Sequence, residues 1–201
     1  MMKTMITGLC LIFAVSLSRA QMQPGTFELS LSGNITAVTK SVDQSSSNGT
    51  SNSTWQTTNA ISLAIRPGVF LVPRLEFESE FFWLTVKGGT PAISISGNLS
   101  YNFTMPKVPV VPFVLVGYGI GNGVPEYGRL SGRSSSDMNI PVLNLGVGAK
   151  VFLAKRVAFR AEYRYQRYTQ DDSFVSGSNS ISQTTVQTFH NLFFGFSVFL
   201  P

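Results

Sequence analysis

The chain is 201 residues long, 43% hydrophobic and 12% charged, with 15 Lys and Arg against 10 Asp and Glu and a formal charge of +5. That length suits one domain rather than two, and so mild a positive excess gives no argument for a nucleic-acid partner.

Residues 1–21 read MMKTMITGLCLIFAVSLSRAQ: one lysine, an apolar run from Met5 to Leu17, then Ser18-Arg19-Ala20. This is the pattern of a secretory signal peptide, residues 1–20, cut after Ala20. The run is shorter than the roughly 18 to 20 apolar residues that a spanning helix needs. Cys10, the one cysteine, falls inside the segment to be removed, and Thr7-Gly8-Leu9 before it is no lipoprotein cleavage pattern. The mature chain is therefore expected to carry neither lipid nor disulfide. Loss of Lys3 and Arg19 takes the basic count from 15 to 13 against 10 acidic residues, a net charge of about +3.

Residues 21–201 then alternate with period two, the signature of strands whose two faces differ. Eight strands are predicted, near 25–38, 56–71, 75–86, 92–103, 110–121, 138–152, 157–168 and 187–200. In the first, Phe27, Leu29, Leu31 and Ile35 alternate with Glu28, Ser30, Ser32 and Asn34; in the second, Ile61, Leu63 and Ile65 alternate with Ser62, Ala64 and Arg66. The third sets Leu75, Phe77, Phe81 and Trp83 against Glu76, Glu78 and Glu80, with Phe82 next in the carboxylate row. The fourth sets Ile93, Ile95, Leu99, Tyr101 and Phe103 against Ser and Asn. The fifth and sixth carry apolar residues on both faces, and Pro109, Pro112 and three glycines break the stretch 108–121 as a membrane helix. The seventh sets Val157, Phe159, Tyr163 and Tyr165 against Arg160, Glu162, Arg164 and Gln166; the eighth sets Leu192, Phe194, Phe196, Val198 and Leu200 against Asn191, Gly195 and Ser197.

Connections alternate in length. Pro73, Thr104 to Pro109 and Leu153 to Arg156 are tight, whereas 40–54, 122–137 and 169–187 are long and rich in Ser, Asn, Gly and Thr, with a shorter connection at 87–91. Those long segments are too polar to bury and read as loops. Short turns at one end and long polar loops at the other is the layout of an outer-membrane barrel. A soluble sandwich alternates too, but its surface would be the polar row, and a row of Ser, Asn, Thr and Gly suits a lumen better than a soluble surface. Strands of about 9 to 11 residues cross a bilayer when tilted, and closure satisfies every backbone group. Trp83, Tyr101, Phe103, Tyr163, Tyr165 and Tyr168, near strand ends, are expected to form interfacial girdles.

Four pieces, IRPGVFLVPRLEFESEF, VVPFVLVGYGIG, LNLGVGAKVFLAKRVAFRAEYRY and HNLFFGFSVFL, carry in their order and spacing a resemblance that spans residues 21–201. The chain resembles the OmpA/OmpX-like outer-membrane β-barrel family. The resemblance implies an all-β, closed, antiparallel up-and-down transmembrane barrel in the outer membrane of a bacterium, with both termini periplasmic. Family members usually end on an outward phenylalanine read by the assembly machinery; here Leu200 holds that register, followed by Pro201. A bacterial source makes the five N-x-Ser/Thr sites, at Asn34, Asn48, Asn52, Asn98 and Asn102, incidental.

Charges facing lipid at midplane cost about 2 to 4 kcal/mol for Arg or Lys, so the charged rows are assigned to the lumen. Glu76, Glu78 and Glu80 should face Arg160, Glu162 and Arg164 across the interior, since their strands are four apart in a barrel of eight. Arg66 pairs near Glu80, and Lys150 and Glu28 join the same region. Five acids and four bases nearly neutralise one another, as buried charges require, and an eight-strand barrel is just wide enough for side chains to fill. The expected outcome is a closed charged plug; the alternative is a narrow ion or small-solute channel.

The remote alternative, a lipid-modifying outer-membrane enzyme, has little to stand on. His190 is the one histidine, with Asp171 and Asp172 in the adjacent loop as its best partners, and Thr188 and Leu192 where a deacylase would place serine. The parity His190 shares with Leu192 and Phe194 puts its imidazole on the outer wall instead, beside lipid headgroups. No metal, cofactor or phosphate-binding motif is found, and Gly146-Val147-Gly148-Ala149-Lys150 reads as small residues relieving crowding in a narrow barrel. The expectation is a monomeric barrel, not an enzyme, with a structural or surface-interaction role. Its expected partners are outer-membrane lipid and lipopolysaccharide, the barrel assembly machinery through the last strand, and an extracellular ligand at the loops. Residues 21–201 are not expected to hold a separate wall-binding domain. Ten strands remain the alternative if the fourth loop folds as a hairpin.

Overall fold

A computed structural model of the protein describes residues 22–46, 49–53, 57–85, 91–105, 108–122, 139–176 and 179–201, with side chains described outside 35–60 and 170–185. The expected signal peptide, Cys10 and most of the connection at 122–137 lie outside the described residues. Nine strands follow one another: β1 Phe27–Ser46, β2 Gly49–Ser53, β3 Thr57–Val72, β4 Leu75–Thr85, β5 Ala92–Asn102, β6 Val110–Gly121, β7 Ile140–Ala154, β8 Val157–Ser176 and β9 Asn179–Leu200.

Every neighbouring pair is antiparallel, and β1 returns to β9 from Phe27↔Leu200 to Ser45↔Ser182. The sheet is thereby closed. β2 and β3 lie end to end along one edge of β1, β3 against Phe27 to Thr39 and β2 against Val42 to Ser46. The barrel therefore has eight staves. The tight turn at Pro73-Arg74 follows a register shift between Phe70 and Val72, and Arg74 takes a φ of 74°. Its carbonyl accepts from the Asn102 backbone N–H at 2.8 Å, which ties the β3–β4 turn to the end of β5.

Two expectations are corrected at the loop end. The sequence predicts loops at 40–54 and 169–187, but the described residues there, 40–46, 49–53, 169–176 and 179–187, are strand: β8 and β9 stay paired to Ser176↔Asn179, and β1 and β2 to Ser46↔Gly49. The physical reason is that Ser and Thr can hold a ladder once a paired strand already presents its edge, so polarity alone does not end a strand. For the same reason the ten-strand alternative fails. The fourth connection lengthens β8 and β9 rather than adding staves.

Alternation places one row of each strand inside. Outward residues such as Leu31, Ile65, Phe81, Val116, Leu145 and Phe196 are exposed, while the Ser, Asn and Glu rows are buried. Trp83, Tyr101, Phe103 and Tyr163 are outward and exposed, and Tyr165 shares their face. Tyr168 is corrected: its even number puts it in the row of Arg164 and Gln166, and it is buried inside, with its hydroxyl donating to Ser94 Oγ at 3.3 Å.

Two apolar clusters occupy the ends of the lumen. Met22, Phe70, Val111, Ala158 and Phe199, with Phe152 against them, fill the turn end. Ala64, Phe82, Leu84, Ala92, Val142, Tyr168, Phe189 and Phe193, with Ile140, fill the loop end. Here lies the explanation of the two strands with apolar residues on both faces: β6 and β7 supply Val111 and Val142 to these clusters.

Candidate functional site: a charged network inside the barrel

All nine charged residues assigned to the lumen lie between the two apolar clusters, each no more than 3% exposed. Strand register explains the pairs. Arg66 stands across from Glu80 on β3 and β4 and donates through Nε to its carboxylate. Arg160 reaches from β8 across the lumen to Glu78 on β4, with Nη1 and Nη2 at 3.0 Å from its two oxygens. This is the bidentate fork that a planar guanidinium makes with a carboxylate. Glu162, two residues on, receives Arg160 Nη2 at 2.9 Å, Arg164 Nε at 2.5 Å and, more distantly, Arg66 Nη1 at 3.6 Å. Arg164 also donates to Glu80.

Lys150 closes the turn side, with Nζ 2.5 Å from Glu28 and 2.7 Å from Glu76. Glu76 therefore meets the β7 lysine, whereas the sequence had set the whole carboxylate row against the β8 arginines. Glu28 links this triad to Arg160 at 3.6 Å.

Aromatic faces bound the network on both sides. Arg66 and Arg164 lie 4.4 and 5.2 Å from the Phe193 ring centre. Arg160 lies 4.6 Å from Phe113, and Lys150 is 5.5 Å from Phe113 and 5.8 Å from Phe199. A cation over a ring face gains from the ring quadrupole, so these phenylalanines accommodate the buried bases.

Toward the loop end a belt of amides follows the wall. Ser62 donates to Asn34, Asn34 to Asn191 at 2.8 Å, Asn191 to Gln166 at 2.7 Å, and Gln166 to Asn144 at 2.9 Å. Asn144 then donates to Ser96 and Asn98, each at 3.0 Å. That last step crosses β6, which lies between β5 and β7. It is possible because β6 presents Gly117 there: a Cβ on Gly117 would stand 1.8 Å from Asn98 Oδ1. Gly148 on β7 works similarly, since its Cβ would meet Phe113 Cζ at 2.5 Å. The belt and the inward phenylalanines were not identified from sequence as site members. The alternation itself contained the signal, because each lies in the inward row of its own strand.

The proposed catalytic grouping does not assemble. His190 pairs with Tyr165, whereas Asp171 and Asp172 pair with Thr184 and Gln183, six and seven positions further up β8. At about 3.3 Å per residue that separates them by ~20 Å. His190 is exposed on the outer wall, where Nδ1 shares a 2.7 Å hydrogen bond with the Tyr163 hydroxyl. Among the described residues no group of three or more His, Cys, Asp or Glu is arranged to hold a metal ion.

The profile of a family described as "Outer membrane protein beta-barrel domain" matches residues 7–196. Among solved structures, the outer membrane protein OprG from Pseudomonas aeruginosa is similar at 13% identity and a TM-score of 0.58, over 90% of this chain and 99% of that one. The outer membrane protease OmpT from Escherichia coli is similar at 8% identity and a TM-score of 0.50, over 88% and 97%. Neisserial surface protein A is similar at 16% identity and a TM-score of 0.49, over 87% and 98%. A search of curated proteins found no match.

Proposed function

The chain belongs to the outer membrane protein β-barrel family, and from that premise we propose that it is a closed, monomeric barrel with a structural and surface-interaction role. It reinforces the bacterial outer membrane, keeps both termini on the periplasmic side after loss of residues 1–20, and displays its long hairpins outside to a ligand. Its partners are the surrounding lipid and lipopolysaccharide, and the assembly machinery that reads the last strand through outward Leu200. The observation that carries this reading is the filled lumen: nine buried charges joined across the barrel and capped at both ends by apolar side chains. Planar-bilayer recording of the purified protein should show no steady conductance. A stable, ohmic conductance would overturn the closed reading.

The alternative, a narrow channel, has one observation in its favour. Arg66 Nη2, Glu76 Oε1 and Glu80 Oε1 are buried with no hydrogen-bond partner among the described residues, and such atoms favour water. The same recording decides between the two. An enzymatic role is the weakest reading: OmpT is a protease, but at 8% identity the likeness extends to the fold alone, and His190 has Tyr163 rather than a carboxylate on its ring nitrogen.

A further inference from the structure

The outer wall breaks its own rule at one place. Among residues with described side chains, the outward rows of the strands hold one cation, Arg167, one imidazole, His190, and no carboxylate. We infer that Arg167, His190, Tyr163 and Tyr165 form a recognition site for the phosphorylated headgroup of a membrane glycolipid in the outer leaflet. The inference rests on the reading above that the hairpins face outside.

Register brings the four together. Tyr165 pairs with His190, Arg167 with Thr188 and Tyr163 with Leu192, so Arg167 and His190 are diagonal neighbours on one face, within reach of long side chains. The imidazole is held in place: Nδ1 is bonded to the Tyr163 hydroxyl at 2.7 Å, and the Tyr165 ring meets it edge-on at 5.7 Å between centres. Among the described residues no partner meets Nε2, which is the ring nitrogen offered to a ligand. Arg167 is exposed, and the ion pairs of the described residues do not include it. Its fork of donors matches a phosphate.

Height selects the occupant. His190 lies ten residues along β9 from Leu200, and Arg167 ten along β8 from Val157. At about 3.3 Å per residue and a tilt of roughly 45°, both stand ~23 Å above the turn end. That is the rim of an apolar band about 25 Å tall, where the cost of an arginine facing lipid nearly vanishes. Directly beside the polar residues, β7 and β9 present Leu143 next to Arg167, Leu145 next to Tyr165 and Leu192 next to Tyr163, all exposed. Acyl chains would lie over the leucines while the phosphate meets Arg167 and His190. A free phosphate has no use for that apolar floor, so the amphipathic pattern favours a lipid.

The test uses the whole protein in nanodiscs of phosphatidylcholine containing a small fraction of diphosphoryl lipid A, dephosphorylated lipid A or phosphatidylglycerol, with retained lipid counted by native mass spectrometry. Diphosphoryl lipid A should be retained preferentially. Arg167→Gln should lower that retention about ten-fold, as loss of a charge-assisted contact does, and His190→Gln should lower it less. Arg74→Gln, which removes a cation at the turn end, should leave it unchanged. Equal retention by Arg167→Gln and the native protein, or equal retention of dephosphorylated lipid A or phosphatidylglycerol, overturns the site. Heat-modifiable gel mobility and surface labelling of the hairpins are read on the same samples. A native protein that is not a heat-modifiable barrel, or whose hairpins are shielded in cells, defeats the functional reading, whereas a labelled barrel without phosphate preference defeats this site alone.

Discussion

Gly117 and Arg160 show how much single residues decide inside a barrel this narrow. Gly117 lets Asn98 reach past β6 to Asn144, and a Cβ there would also stand 2.8 Å from the Gly97 carbonyl. Gly117→Ala should therefore destabilise the barrel by about 1 to 3 kcal/mol, through overpacking and a broken buried hydrogen bond, read as a lowered urea midpoint in lipid vesicles. Arg160 touches Glu78, Glu162 and Glu28, in a network of five acids and four bases. Arg160→Gln leaves two carboxylates in excess and should cost about 3 to 5 kcal/mol, the effect of stripping a buried pair of one partner. Glu78→Gln removes the surplus instead, since Arg160 keeps Glu162, and should cost clearly less. The double variant restores the native imbalance of one charge and should be more stable than Arg160→Gln alone. Additive losses in that cycle would refute the coupling described across the lumen.

At the level of elements, the barrel and its hairpins separate. Closure is complete within the lower parts of β1, β3 and β9, which pair from Phe27, Val69 and Leu200 upward, whereas beyond the last residues of β7 the top of β8 pairs with β9 alone, and β9 with both β8 and β1. Replacing residues 171–184 with an Asn-Gly turn between Gln170 and Thr185, which are cross-strand partners, should leave heat-modifiable mobility and the urea midpoint unchanged. Loss of the barrel in that variant would show that the extension is part of the folding unit. Strand identity was legible here from alternation alone. Strand length was not, because a Ser- and Thr-rich segment gains ladder hydrogen bonds only when a neighbour is already in register, and register is a non-local fact.

For the whole molecule, the decisive matter is which solvent each face meets. Val116, halfway along β6, is outward and half exposed; in water an arginine there would be innocuous, but near the middle of a bilayer it should cost about 2 to 4 kcal/mol. Val116→Arg measured by urea unfolding in vesicles checks this, and tolerance of the substitution would argue against burial of that face in lipid. The low charged fraction, 12%, becomes intelligible on these terms. The outer wall has no water to face, and most of the described charge has moved inside, where it joins opposite walls.

What the sequence determined by itself was the run of alternating strands, the inward row of nine charges and the outward row of Leu, Ile, Val and Phe, because a period of two leaves each residue only two sides to occupy. What only the tertiary structure decided was which charge meets which, the apolar clusters at both ends of the lumen, the lengthening of the hairpins and the outward grouping of Arg167 with His190. Those depend on shear between strands and on the filling of a shared interior. Parity assigns a side chain to a face, but its partners across the lumen are set by the closure of all eight staves at once.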